Sequence, residues 1–164
     1  MVCSLESAGY NSISVETANE VFIQSLYLTA EVFLPPDLMP PNPNSYSSSN
    51  ILLRNYLTDW SRFLDKPLVL LLDEVDALYD DVLISTLRQL RDGFQTRPKY
   101  FPQSIALVGL RYIRDLRTPS PADIPSIGSG SLFNIIAESF FLPAFSREEV
   151  RGLLDQHTYD TGQV

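Results

Sequence analysis

The run Pro67-Leu68-Val69-Leu70-Leu71-Leu72-Asp73-Glu74-Val75-Asp76-Ala77-Leu78 constrains this chain more than any other stretch. An unbroken apolar segment, Leu68 to Leu72, ends abruptly on two adjacent carboxylates. Such a segment suits a strand of a parallel sheet buried on both faces. Acidic residues where the strand ends then lie at the carboxyl edge of the sheet, where α/β proteins bind ligands. Asp73 and Glu74 also have a plainer reading, as an acidic pair that closes a strand or opens the next turn.

The rest of the chain supplies partners for that strand. Met1 to Glu6 reads as a short strand remnant. Ser14 to Leu34 reads as a helix, with Val15, Ala18, Val21, Phe22, Ser25, Leu26 and Thr29 along one face and Ser14 as its cap. Residues 35–49 form a Pro/Ser-rich loop, read as a surface connection with a polyproline-type partner ligand as the alternative. Asn50 to Leu64 is a second helix, carrying Leu52, Leu53, Tyr56, Leu57, Trp60 and Phe63 on one face. Asp80 to Phe94 is a third, with Val82, Leu83, Thr86, Leu87 and Leu90 inward.

Ser104 to Leu110 is another strand expected to be buried on both faces, and Thr118 to Ser131 is a loop by composition. Phe140-Phe141-Leu142-Pro143-Ala144-Phe145 reads as a last short strand. Ser146-Arg147-Glu148-Glu149 then forms a capping box that opens a helix. Strands alternating with helices predict an α/β fold built from βαβ units around a mainly parallel sheet.

A nucleotide site of the phosphate-loop type needs more than an acidic strand end. It needs a glycine-rich backbone to cradle phosphates, a Lys on the β/γ-phosphates and a Ser/Thr on the metal, in the form G-x-x-x-x-G-K-[ST]. The chain has two lysines, Lys66 and Lys99, and neither follows a glycine. The richest glycine cluster, Gly128-Ser129-Gly130-Ser131, continues into Leu132 and Phe133 with no Lys. The second strand ends Gly109-Leu110-Arg111, which brings a cation to the same edge if the strands are parallel neighbours. Arg111 there would stabilise phosphate charge or form a salt bridge to Glu74 or Asp76.

Composition narrows the classes. A formal charge of −8 disfavours nucleic acid and anionic membranes as partners. The sequence neighbours Arg88, Arg91, Arg97 and Lys99 leave room for a local basic patch, although solvated helix surface is the plainer account. One cysteine, Cys3, excludes an internal disulfide, and one histidine, His157, leaves no support for a His-dependent triad. No apolar stretch reaches the roughly 18 residues of a membrane span, so the cytoplasm is the expected compartment.

From Lys66 to Gln163 the order and spacing of the pieces resemble a prokaryotic family of AAA-like, STAND-related P-loop ATPases, from the Walker B strand to the start of the helical lid. The matching pieces are Leu70 to Leu78, the helix Leu83 to Arg91, the strand Ser104 to Arg111, Phe133-Asn134-Ile135, and Phe145 to Val150. Met1 to Ser25 is similar to the strand and helix that follow the phosphate-loop helix. The resemblance implies Asp73 on Mg²⁺, Glu74 as catalytic base, Arg111 as the sensor at its strand's end, and ATP as the nucleotide. It implies one partial domain over residues 1–164, with the lid beginning at 146. The expected fold is an incomplete three-layer P-loop NTPase-type sandwich whose sheet lacks its central first strand.

The family's phosphate loop, the strand before it and the helix after it have no counterpart here, and the chain is expected to start downstream of them. The reading is therefore part of an ATP-binding protein without independent ATP hydrolysis. The alternatives are a degenerate ATPase fold kept as an interaction module, and a chain that borrows a phosphate loop from a second polypeptide. Self-association, or pairing with a complementary chain, is expected through exposed strand edges.

Overall fold

The computed structural model describes residues 1–10, 14–78, 80–110 and 138–163, with the side chains of residues 9, 10 and 80 left out. Three parallel strands, β1 (Val2–Ser4), β2 (Val69–Asp73) and β3 (Ser104–Leu107), form a small open sheet in the order β1-β2-β3. Val2 lies opposite Leu71 and Ser4 opposite Asp73, while Leu70 pairs with Ile105 and Leu72 with Leu107. Among the described residues the α-helices are α1 (Glu6–Tyr10), α2 (Val15–Phe33), α3 (Leu52–Phe63), α4 (Asp80–Gly93) and α5 (Arg147–Thr161). The mixed α/β class and the parallel sheet agree with the sequence reading.

Local chemistry explains the element boundaries. The Ser14 hydroxyl accepts a hydrogen bond from the Thr17 N–H at the start of α2, and Pro35 and Pro36 follow its end. At α5 the Ser146 hydroxyl accepts from Glu149 N–H, and the Glu149 carboxylate accepts from Ser146 N–H, completing the capping box.

The core lies between one face of the sheet and helices α2, α3 and α4. Leu70 and Leu72 of β2 are fully buried there, against Phe22, Leu26, Leu53, Tyr56 and Trp60. Each such leucine contributes about 1.5–3 kcal/mol by leaving water. Phe101 closes one end over Gly93, where any side-chain carbon would lie 2.2 Å from its ring. The inward face of α2 is Ala18, Asn19, Phe22, Ile23, Leu26 and Ala30, which is rotated from the apolar stripe that the sequence suggests. Asn19 is buried because it is bonded on both sides: its amide donates to Ser49 O and its carbonyl accepts from Gln89.

The structure corrects four expectations. β2 is not buried on both faces, for Val69 and Leu71 remain 45% and 36% exposed on the face that no described element covers. β3 likewise alternates between exposed and half-buried residues and stops at Leu107, short of Leu110. Three layers are thus reduced to two among the described residues. Phe140 to Phe145 is not a strand: it has no regular structure, it joins none of the described strands, and Leu142 is 88% exposed. A strand needs a neighbour to satisfy its backbone, and no described strand pairs with this segment. Finally, Phe63 points outward from α3, at its last turn.

The 35–49 loop is tied down. Trp60 donates its indole N–H to Leu38 O, the Tyr46 hydroxyl donates to Asp59, and Pro40 and Pro43 are buried. A segment packed in this way does not present a free polyproline ligand.

Candidate functional site

Parallel strands align their carboxyl ends, so β1, β2 and β3 deliver Ser4, Asp73 and the residues after Leu107 to one edge. Asp73 is half-buried at the end of β2, and its Oδ1 accepts from Glu74 N–H at 2.8 Å. Its backbone carbonyl accepts from Leu5 N–H at 2.9 Å, which fixes the strand end against the start of α1. The side chain's other oxygen takes no hydrogen bond among the described residues.

Glu74 is exposed and adopts a left-handed backbone, φ 58° and ψ 38°. Its neighbours over-determine that turn. Besides the Asp73 contact, Val75 N–H donates to Val108 O at 3.0 Å and Ala77 N–H donates to Glu74 O at 2.9 Å. The Glu74 carboxylate is also held, since the Ser4 hydroxyl donates to its Oε2. That hydroxyl in turn accepts from Glu6 N–H at 3.2 Å.

Asp76 completes the edge from the following 3₁₀ turn. Its Oδ1 accepts from Leu110 N–H at 3.4 Å, and Gly109 packs so closely that a side-chain carbon there would lie 2.7 Å from the same oxygen. The strand-β3 exit is thereby latched to the turn after β2. Ser4 is a neighbour at this edge that the sequence reading did not name, and Asp76 entered that reading only as an alternative salt-bridge partner of Arg111. Ser4 carried one available signal, as the polar residue at the end of a strand parallel to β2.

Asp73 and Glu74 are therefore brought together at the expected edge, and a serine is added to them. Arg111 lies outside the described residues, as do Phe133-Asn134-Ile135 and the Gly128-Ser129-Gly130-Ser131 cluster. Among the described residues no group of three His, Cys, Asp or Glu is placed to ring a metal. The donors present are hard oxygens, with the Asp73 carboxylate foremost. That chemistry fits Mg²⁺, which takes one or two carboxylates and keeps several waters or phosphate oxygens.

The basic residues of the sequence separate in the fold. Arg97 lies 3.6 Å from the Phe94 ring centre and donates to the carbonyls of Phe94 and Gln103. Lys99 sits over Tyr100. Arg88 and Arg91 instead line a cleft with Arg54. No described helix is long and apolar enough to cross a membrane. Comparison with protein-family models, curated proteins and solved structures gave no match.

Proposed function

We propose that this chain is part of an AAA-like, STAND-related P-loop ATPase domain, carrying the acidic edge without a phosphate loop and lacking ATP hydrolysis of its own. The observation that carries this reading is the placement of Asp73 and Glu74 at the carboxyl edge of the middle strand of a parallel sheet, with Glu74 held by Ser4. In this reading Asp73 would hold Mg²⁺, which would supply charge neutralisation for phosphate oxygens. Glu74 would orient and deprotonate a water once released from the Ser4 hydroxyl, and Arg111 would stand as the charge sensor. Phosphate anchoring normally comes from backbone N–H groups at a helix start and a Lys, and this sequence supplies no such loop. The carboxylates of Asp73, Glu74 and Asp76, gathered at one edge, repel a triphosphate.

Titration calorimetry with ATP and Mg²⁺ tests the inactive assignment. No saturable heat is expected up to about 1 mM nucleotide, and micromolar affinity would overturn it. The coding DNA directly upstream tests the ancestry. An in-frame or frameshifted G-x-x-x-x-G-K-[ST] there supports a divided ATPase gene, and a promoter directly before Met1 favours the second reading.

That second reading is a protein-interaction module. The exposed sheet face and the outer edge of β3, which no described strand pairs, favour it.

A further inference from the structure

Two apolar surfaces of this chain are left without a cover by the described elements. The first is the open side of the sheet, where Val2, Val69 and Leu71 are exposed and strand alternation sets Asp73 in the same row. The second is helix α5, none of whose residues is buried. At about 100° per residue, Val150, Leu153, Leu154 and His157 share one side of α5, and Thr161 extends it. Glu148, Asp155 and Tyr159 lie on the opposite side. A parallel sheet ordinarily takes helices on both faces, and a lone helix of this length is marginal in water until an apolar side is packed.

The two surfaces match in length and in charge. From Val150 to Thr161 the stripe runs about 16 Å, and the five residues of β2 run about the same distance. The sheet is polar along its strands. At its amino end the Met1 ammonium donates to Val69 O, and the Arg97 guanidinium donates to Gln103 O. At its carboxyl end stand Asp73, Glu74 and Asp76. Helix α5 carries the opposite order: Arg147 and Arg151 border the stripe in its first half, where the helix dipole is also positive, and Asp160 borders it near the end. Laid antiparallel to the strands, α5 sets its arginines beside the acidic end of the sheet and Asp160 beside the basic end. Glu149, the acid nearest that stripe in the first turn, is already bonded to Ser146 N–H.

Within one chain these surfaces do not meet, since α5 is exposed along its whole length while the sheet face stays open. We propose that the open sheet face binds α5 of a second copy of this chain, each copy giving its helix to the other in a two-fold pair. The exchange makes the same contact twice and leaves the core of each copy untouched. Apolar burial supplies the strength, and the charges set the direction of the helix. The inference rests on the reading of this chain as an interaction module and names its partner.

Sedimentation velocity of the whole chain should show dimers forming below about 100 μM. Leu153→Glu/Leu154→Glu, at exposed positions of α5, should weaken the dimer at least about tenfold and leave the thermal midpoint of the dilute monomer unchanged. Tyr159→Ser, on the opposite side of α5, should not weaken it. Cross-linking locates the contact: a mixture of Leu71→Cys and Leu154→Cys chains should give, under mild oxidation, a covalent dimer that neither variant gives alone. An equal yield from Leu71→Cys alone would join two sheet faces directly, which overturns the exchange and leaves the interaction-module reading in place. A chain carrying both substitutions that closes an internal disulfide and stays monomeric would put α5 over its own sheet, and overturns it as well. So does association that Leu153→Glu/Leu154→Glu leaves unaffected, or a monomer at every concentration up to about 1 mM.

Discussion

Among the described residues Glu74 is the one non-glycine with a positive φ. An L-residue in that conformation costs roughly 1 kcal/mol or more, because its Cβ crowds the following carbonyl. Glu74→Gly and Glu74→Ala both delete the carboxylate and its Ser4 bond, so the difference between them isolates the backbone. The glycine variant is expected to be the more stable by about 1 kcal/mol in urea unfolding; an alanine variant of equal or greater stability would refute the strain. Tyr56 presents the opposite problem, a buried hydroxyl with no hydrogen-bond partner among the described residues, edge-on to Tyr46 at 5.3 Å. Burial pushes its phenol well above the ordinary range, so it stays neutral. Tyr56→Phe removes an unsatisfied polar atom at nearly constant shape and should leave stability unchanged or raise it by up to about 1 kcal/mol. A loss above about 1 kcal/mol would show that the hydroxyl has a partner. At this scale Asp73 and Glu74 were legible, since an abrupt apolar-to-acidic boundary is local in the chain. The grip of Ser4 on Glu74 was not, because it joins residues brought together only by the β1–β2 register.

Helices α2, α3 and α4 were legible as elements because each buries a 3.6-period stripe. The orientation of α2 was not, because a polar residue, Asn19, takes an inward place through bonds to distant groups. Phe140 to Phe145 shows the limit of composition: aromatic and aliphatic residues favour a strand only when a neighbouring strand exists to pair with. Helix α5 is legible from its cap alone, and every residue along it is exposed. Such a helix depends on its ends, for isolated helices of this length are marginal in water. Ser146→Ala should reduce its stability by about 1 kcal/mol, seen as faster amide exchange through the first turns. The same cap makes α5 sensitive to acid. Hydrogen bonds from the Ser146 backbone, then its side chain, hold the Glu149 carboxyl below its ordinary value of 4.5. A depressed folded pKa stabilises the helix above the unfolded value, and the gain disappears as pH falls through the folded one. Helix α5 should therefore fray on acidification below pH 4.5, and the Ser146→Ala variant should show a weaker dependence. Identical acid profiles for the two proteins would contradict the linkage.

At the scale of the molecule the governing feature is the side of the sheet that no described element covers. Val2, Val69, Leu71 and Val108 are all at least 36% exposed, and the strand alternation places them together on the face opposite the core. A parallel sheet is ordinarily covered on both faces, because its strands carry apolar residues on each. Here the sequence provides the apolar residues and the described elements provide one cover. Two forces then compete. Apolar area on the open face favours contact with a second surface at roughly 25 cal/mol per Å² buried, while the formal charge of −8 opposes bringing copies together. Salt screens the second force and leaves the first intact, so association should strengthen with added salt as well as with protein concentration. Sedimentation velocity and the concentration dependence of the thermal midpoint measure both. Leu71 sits on the middle strand of that face, so Leu71→Lys places a charge at the centre of any such contact without entering the core. The variant should remain monomeric where the unaltered chain associates, and at low concentration should unfold within about 1 kcal/mol of it. Persistent association of Leu71→Lys would move the contact from the sheet face to the open edge of β3, where backbone groups rather than side chains would do the joining. A monomer at all concentrations, with a sharp and concentration-independent midpoint, would show that neither surface drives self-association.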